Sequence, residues 1–312
     1  MTETLVLTLT TYLASALRLA TPLTLAGLGE AYSERSGVIN IGLEGIMLTG
    51  AFTAFMVNVW TQNLFLGMLA GALGGMAVSL LHALLSIQCR ANQTITGLAL
   101  NFLALGLTSF LFLKAFGQAS TLPLCTTVAP IAIPGLSKIP VLGGILFTQN
   151  IYVYMMVIAI VVLTILFEKT EWGVNLTAVG EHPRAADTAG ISVYGTRYFA
   201  CAVNGLFGGL AGSYMTLAQM GFFQENITAG QGYMALVAVI LGRRNPVKIL
   251  IASLAIGFAQ ALQFNLQTMG LGIPSQVFSM IPYVVAVLVL LFSIGRSSDP
   301  AALGVPYERN NR

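Results

Sequence analysis

Charged side chains are scarce in this chain: Asp, Glu, Lys and Arg make up 8% of 312 residues, against about 25% in soluble domains. Joined to 56% hydrophobic residues and a mean hydropathy of +0.83, that scarcity excludes a water-soluble globular protein. Cysteine is nearly absent too. Cys89, Cys125 and Cys201 share no CxxC or Cys/His spacing, which excludes a disulfide framework and a cysteine metal site and leaves them as small packing residues. A net charge of +3, small and concentrated in loops, gives no footing for nucleic acid. There is no G-x-x-x-x-G-K-[ST] loop and no carboxylate constellation for magnesium, so the chain is expected to bind no cofactor and to be no enzyme. The N-terminal Met-Thr-Glu-Thr lacks the basic region of a signal peptide, so the first apolar run is expected to be a retained span.

What is present is a series of long apolar runs. They fall at about 5–28, 38–60, 63–87, 93–116, 150–168, 197–219, 229–243, 247–267 and 277–295, where a helix needs ~20 residues to cross the bilayer core. An all-α polytopic membrane bundle of about nine segments follows, since barrel strands alternate over about ten residues instead. The domain plan is a single transmembrane unit over 1–312, with a cytoplasmic loop at 169–196 and a cytoplasmic tail at 296–312. Arg35, Arg90, the cations between Lys169 and Arg197, Arg243, Arg244, Lys248, Arg296, Arg309 and Arg312 all fall on one side, leaving Lys114 and Lys138 on the other. The positive-inside bias then puts the N-terminus outside and the C-terminus in the cytoplasm. The proline-bearing stretch 117–149 is expected to be an ordered extracellular excursion.

Segments 1–4 and 6–9 compare as two inverted halves, each with a glycine-interrupted stretch after its first span. Gly37, Gly42 and Gly45 mark one, Gly230 and Gly232 the other. Such interruptions in corresponding positions point to a gated translocation site near the midplane. A second echo, Gly71, Gly74, Gly75 and Ala77 against Gly205, Gly208, Gly209 and Ala211, is expected to be tight small-residue packing.

Ionisable groups at membrane depth mark candidate sites. Glu44 lies six or seven residues into the second span with Asn40 one helical turn earlier, a pair able to meet a polar substrate. The competing reading is a buried carboxylate that ties the broken helix to a neighbour's free N–H groups. Arg18, midway in the first span, is expected to form an ion pair, with Glu44 a possible partner, or to face the pathway. Glu30 and Glu34 are expected in the interface, and His82 as a satisfied buried histidine. Phe222, Phe223 and Tyr233 flank the second interruption and are candidates for stacking on a flat ligand. Between Gly180 and Gly190, Pro183 at a first turn and the closing glycine bracket a short helix over 183–189. Ala185, Ala186 and Ala189 give it a small-residue face, and Glu181, Arg184 and Asp187 surround that face with charge. A helix that short is unstable alone in water, which suits a peg held in a partner's groove.

These residues carry a resemblance. The stretch from Glu34 through Asn40 to Glu44, the run from Ala91 to Asn101, the loop from Val179 to Ile191, the glycine-rich run from Asn204 to Gly212 and the stretch from Gly232 to Arg243 together resemble the permease subunits of ABC importers. The similarity is to the branched-chain amino acid and ribose permease superfamily, nearest its nucleoside and simple-sugar branch. It implies that the 180–191 loop docks on a separate ATP-binding cassette ATPase carrying ATP and Mg. It further implies a second permease subunit in a heterodimer, an extracytoplasmic substrate-binding lipoprotein and a bacterial plasma membrane. Relative to the ribose branch the chain is expected to lack an additional N-terminal span. The alternative is an autonomous transporter that couples ions or protons through Glu44 and Arg18. A channel would need a ring of like polar groups, which these two residues do not supply.

Overall fold

A computed structural model describes residues 2–117, 123–270, 272–292 and 299–309, with the side chains of residues 2–7 and of Phe292 excepted. Arg296 and Arg312, two of the cations behind the expected orientation, lie outside these residues. The chain opens with α1 (Thr2–Arg35), α2 (Leu43–Thr61), α3 (Leu64–Ala83), which runs on through a π-helical turn to Gln88, and α4 (Gln93–Phe116). An irregular stretch follows, with a two-residue antiparallel ladder of β1 (Ile131–Ala132) and β2 (Thr148–Gln149) around the short α5 (Leu142–Leu146). Then come α6 (Ile151–Lys169), α7 (Glu171–Glu181), α8 (Pro183–Thr188), and α9 (Val193–Tyr214), extended by a second π-helical turn over Met215–Met220. The last helices are α10 (Gln231–Gly242), α11 (Pro246–Thr268), α12 (Ser275–Ser279) and α13 (Ile281–Phe292).

Among the described residues five helices are long and apolar enough to cross a membrane: α2, α3 with its π-helical turn, α4, α6 and α11. With α1 and α9 packed among them, this is a multi-pass helical bundle. α10 and α13 span only 12 residues each, short of the ~20 that cross a bilayer core.

The first span is longer than its apolar run. α1 continues to Arg35 as one helix of 34 residues despite Pro22 inside it. Its last turns carry Glu30 and Glu34, which are buried in protein and not interfacial as expected. Glu34 pairs with Arg244, itself 5% exposed. His82 is buried, with its Nε2 near the Gln93 carbonyl and the Ser86 hydroxyl.

The two glycine stripes pack face to face. α3 lies along α9 so closely that a Cβ on Gly75 would stand 2.5 Å from the carbonyl oxygen of Gly205 and from the Cα of Gly209. α2 joins them, with Gly50 equally close to Gly209. In lipid, where burying apolar surface drives little association, this backbone approach supplies the van der Waals contact that holds helices together.

The ends of the bundle differ. At one end the 117–149 excursion docks through Cys125 N–H on the Gly221 carbonyl and Thr126 N–H on Asn58 Oδ1. The other end gathers the α1–α2 turn, the α7–α8 loop, the α10–α11 turn and the C-terminal stretch from Asp299.

Candidate functional site

The second span breaks before its helix and not within it. Gly37, with φ +89°, turns the chain after α1, and α2 begins only at Leu43 with Gly42 as N-cap. Asn40 therefore lies in the connection and does not share a helical face with Glu44. Its Oδ1 accepts from Gly42 N–H at 2.9 Å, the local turn by which asparagine competes with helix. The Asn40 N–H donates to Glu30 Oε1 at 2.8 Å, and Glu30 Oε2 accepts from Asn204 Nδ2 at 2.6 Å.

Glu44 sits in the first turn of α2, opposite the start of α10. Its Oε1 accepts from the Thr228 hydroxyl at 2.6 Å and from Gly230 N–H at 2.8 Å, while Oε2 accepts from Gly232 N–H at 2.6 Å. Two helix N-termini thus converge on one carboxylate, whose charge offsets both positive ends and satisfies backbone donors that helix geometry leaves free. Gly230, at φ +87°, makes the turn into α10. Gly232 lies inside α10, where a Cβ would stand 2.5 Å from the Cα and N of Glu44. Gly45 likewise lies inside α2 and lets Asn101 approach: Asn101 Oδ1 accepts from Gly45 N–H at 2.7 Å, and its Nδ2 donates to Ile41 O and the Tyr233 hydroxyl. Glu44 thus ties the start of α2 to free N–H groups of a neighbouring helix.

Beside this junction lies a cavity of about 520 Å³, walled by Thr228, Gln231, Gln219, Gln224, Gln260, Gln263 and Ser279 with Leu19, Met215, Met234, Phe264 and Tyr283. No charged side chain lines it. Gln260 is 7% exposed; its Nε2 lies 3.4 Å from Gln231 Oε1, and its own Oε1 has no partner. An adjoining cavity of about 450 Å³ shares Leu19, Gln219 and Phe264 and is bordered by Arg18. Arg18 does not pair with Glu44; its Nε donates to the carboxamide of Gln149 at 2.8 Å.

None of the three expected aromatics lines the larger cavity. Gly221, at φ +76°, turns the chain out of α9 and its π-helical extension, so Phe223 enters an apolar cluster with Phe52, Phe55 and Phe112. Phe222 forms a backbone bridge with Leu124, and Tyr233 is taken up by Asn101. The polar wall is hidden in the sequence because its glutamines are dispersed, and carboxamides inside the otherwise apolar runs at 197–219 and 247–267 are its local signal.

The 180–191 loop carries α8 over Pro183–Thr188, one residue shorter than expected, closed by Gly190 at φ +87°. Ala186 does not face outward. It is 3% exposed and packs with Val179, Val193 and Tyr307, so of the three alanines only Ala185 and Ala189 are exposed, beside Arg184. Glu181 and Asp187 are engaged by the chain's own C-terminal stretch. Glu181 Oε2 accepts from Ala301 N–H at 3.1 Å, and Asp187 Oδ2 accepts from the Tyr307 hydroxyl at 3.0 Å and Arg309 Nε at 3.2 Å.

Residues 12–290 match the family described as the branched-chain amino acid transport system / permease component. The chain belongs to that family. The permease is 43% identical to the guanosine ABC transporter permease protein NupQ of Bacillus subtilis over 304 residues, covering 94% of this chain and 95% of that one. It is 38% identical to the nucleoside ABC transporter permease protein NupC of Lactococcus lactis, over 96% and 97% of the two chains. It is 33% identical to a candidate glucose ABC transporter permease protein, TsgC13 of Haloferax volcanii, over 95% and 97%. Among solved structures, an inward-facing candidate metal-chelate type ABC transporter covers 90% of the permease and 85% of its own chain at a TM-score of 0.51 and 16% identity, a likeness of fold.

Proposed function

We propose that this permease is the membrane subunit of an ATP-driven importer of nucleosides or simple sugars, and that the carboxamide-lined cavity is its substrate's route. The observation that carries this reading is the lining: five glutamines, a threonine and a serine, with no charged side chain among them. A carboxamide offers both donors and an acceptor, so the wall suits a neutral solute whose edge alternates the two, as the amide edge of a nucleobase or the hydroxyls of a sugar do. Phe264 and Tyr283 supply apolar ring faces beside them. The guanosine, nucleoside and glucose permeases among the relatives support the same solute classes.

In this reading Arg18 borders the route, while behind its wall Glu44 holds α2 to α10 and Asn40 fixes the α1–α2 turn to Glu30. Phe222 and Phe223 brace the turn that leads to Thr228. The turns at Gly37 and Gly230, with Gly42, Gly45 and Gly232 beside them, are the gate's hinge points. ATP and Mg reside on a separate cassette ATPase that seats on the 180–191 loop at Arg184, Ala185 and Gly190. A second permease subunit completes a heterodimer, and an extracytoplasmic lipoprotein delivers the solute. The chain crosses a bacterial plasma membrane in nine segments arranged as inverted halves, with its N-terminus outside and its C-terminus in the cytoplasm. Ion coupling through Glu44 and Arg18 draws no support from their geometry, since one is closed by three donors of its own chain and the other bonds to Gln149.

The test is uptake of radiolabelled guanosine and glucose into liposomes holding the permease with its copurified partners. The expected result is uptake of at least one solute that stops when ATP is replaced by a non-hydrolysable analogue. Uptake that persists without hydrolysis overturns the reading.

A further inference from the structure

The stretch 299–309 reads in sequence as a polar tail, yet it lies across one end of the bundle and bonds to elements far apart in the chain. Asp299 Oδ1 meets Arg244 Nη2 at 2.6 Å, and Arg244 is the cation paired with buried Glu34 at the end of α1. Ala302 N–H donates to the Gly180 carbonyl at 2.9 Å, beside the bond from Ala301 N–H to Glu181. Gly304 N–H donates to the Gly37 carbonyl at 3.0 Å, in the turn that launches α2. The guanidinium of Arg197, 1% exposed, donates to Ser36 O at 3.1 Å and to Val305 O at 3.0 Å. Tyr307, 6% exposed, closes the stretch on Asp187 of α8.

We propose that residues 299–309 form a strut that carries displacement of the 180–191 loop to the α1–α2 turn, and through it to the Glu44 junction beside the cavity. The inference rests on the reading that this loop meets an ATPase. The line of contact is continuous. Gly180 and Asp187 are held by the strut, which holds Gly37; Asn40, three residues on, is fixed to Glu30; and Glu44 grips Thr228, Gly230 and Gly232, of which Thr228 walls the cavity. A passive cover over Arg197 needs only the Val305 carbonyl. The bonds to Gly180, Glu181 and Asp187 place the same stretch on the loop as well. Coupling between distant sites travels through such packed, hydrogen-bonded elements when they move as a body.

The experiment compares the complete importer, in liposomes, with one whose permease ends at residue 298. ATP hydrolysis and solute uptake are measured together. The strut predicts that the ATPase still copurifies and hydrolyses ATP while uptake per ATP falls at least about fivefold, the low end of energetic coupling between sites. An unchanged ratio, or uptake and hydrolysis falling in proportion, overturns it. Should the shortened chain not assemble, Tyr307→Phe removes the bond to Asp187 and Asp299→Ala the ion pair with Arg244, each within the full chain; a lowered ratio in either supports the proposal and wild-type ratios in both overturn it. Ala185→Trp separates the docking reading from the strut. Loss of the ATPase from that variant supports the docking, and its retention sinks the docking whatever the truncation does.

Discussion

The hydroxyl of Tyr214, at the end of α9, donates to the main-chain carbonyl of Arg18 in α1 at 2.9 Å. Arg18 is four residues before Pro22, which has no N–H to offer that carbonyl. A side chain from a neighbouring helix therefore completes the ladder that proline interrupts, the device by which proline is tolerated inside apolar spans. Tyr214→Phe is expected to lower stability by about 0.5–1.5 kcal/mol, the net contribution of one part-buried hydrogen bond. Pro22→Ala returns the missing donor, so in the double variant the loss should shrink. Thermal unfolding in detergent reads both, and strictly additive effects would remove this role for Tyr214.

Glu44→Gln is expected to lose stability and uptake together. The carboxylate faces three donors and both its oxygens are used. A carboxamide turns an NH2 group toward one of those donors, opposing two hydrogens and leaving a backbone N–H unpaired. Bonds to a charged group contribute about 1.5–3 kcal/mol each, so losing one is visible in the unfolding midpoint. A variant with wild-type stability and lost uptake would instead return Glu44 to direct contact with solute.

Parts of this architecture are legible in the residues alone, for definite physical reasons. Apolar length announces α2, α3, α4, α6 and α11 because a bilayer imposes it. The stripes through Gly75 and Gly209 announce close packing because small side chains at helical spacing do little else in lipid. The start of α2 is hidden, because a glycine loosens a helix without saying on which side of it the helix begins, and a few residues' displacement took Asn40 off the helix. Ala186 illustrates the same limit: an alanine face fits inward against Tyr307 as readily as outward against a partner. The C-terminal stretch reads as a tail because most of its bonds come from backbone groups, which every residue carries. The cavity wall is assembled from glutamines on four separate segments, and only the fold brings them together.

Orientation is open to a direct check. In a background without Cys89, Cys125 and Cys201, a cysteine at Lys138 is expected to react with an impermeant maleimide in intact cells. One at Arg309, whose side chain is 73% exposed, should react only after permeabilisation. Labelling of position 309 in intact cells would invert the proposed topology and move the 180–191 loop out of reach of ATP.

Gln260 is the sharpest probe of the proposed route. Its side chain is almost fully buried, yet Oε1 has no donor while Nε2 reaches only to Gln231 at 3.4 Å. Buried polar atoms are nearly always paired, so one that is not, in the wall of a cavity, is an acceptor awaiting a donor from whatever enters. Gln260→Leu removes that acceptor at similar volume and leaves Gln231 facing an apolar surface. If the solute donates to Oε1, KM should rise about tenfold or more, equivalent to one hydrogen bond of roughly 1.4 kcal/mol, with ATPase assembly unchanged. Gln260→Glu keeps the acceptor and should retain affinity for a solute that donates there better than Gln260→Leu does. Guanosine carries N–H donors on its base, whereas a simple sugar offers hydroxyls able to donate or accept, so the Leu substitution should penalise guanosine more. Uptake kinetics for both solutes in the two variants decide the matter, and an unchanged KM for both in Gln260→Leu would take the route out of this cavity.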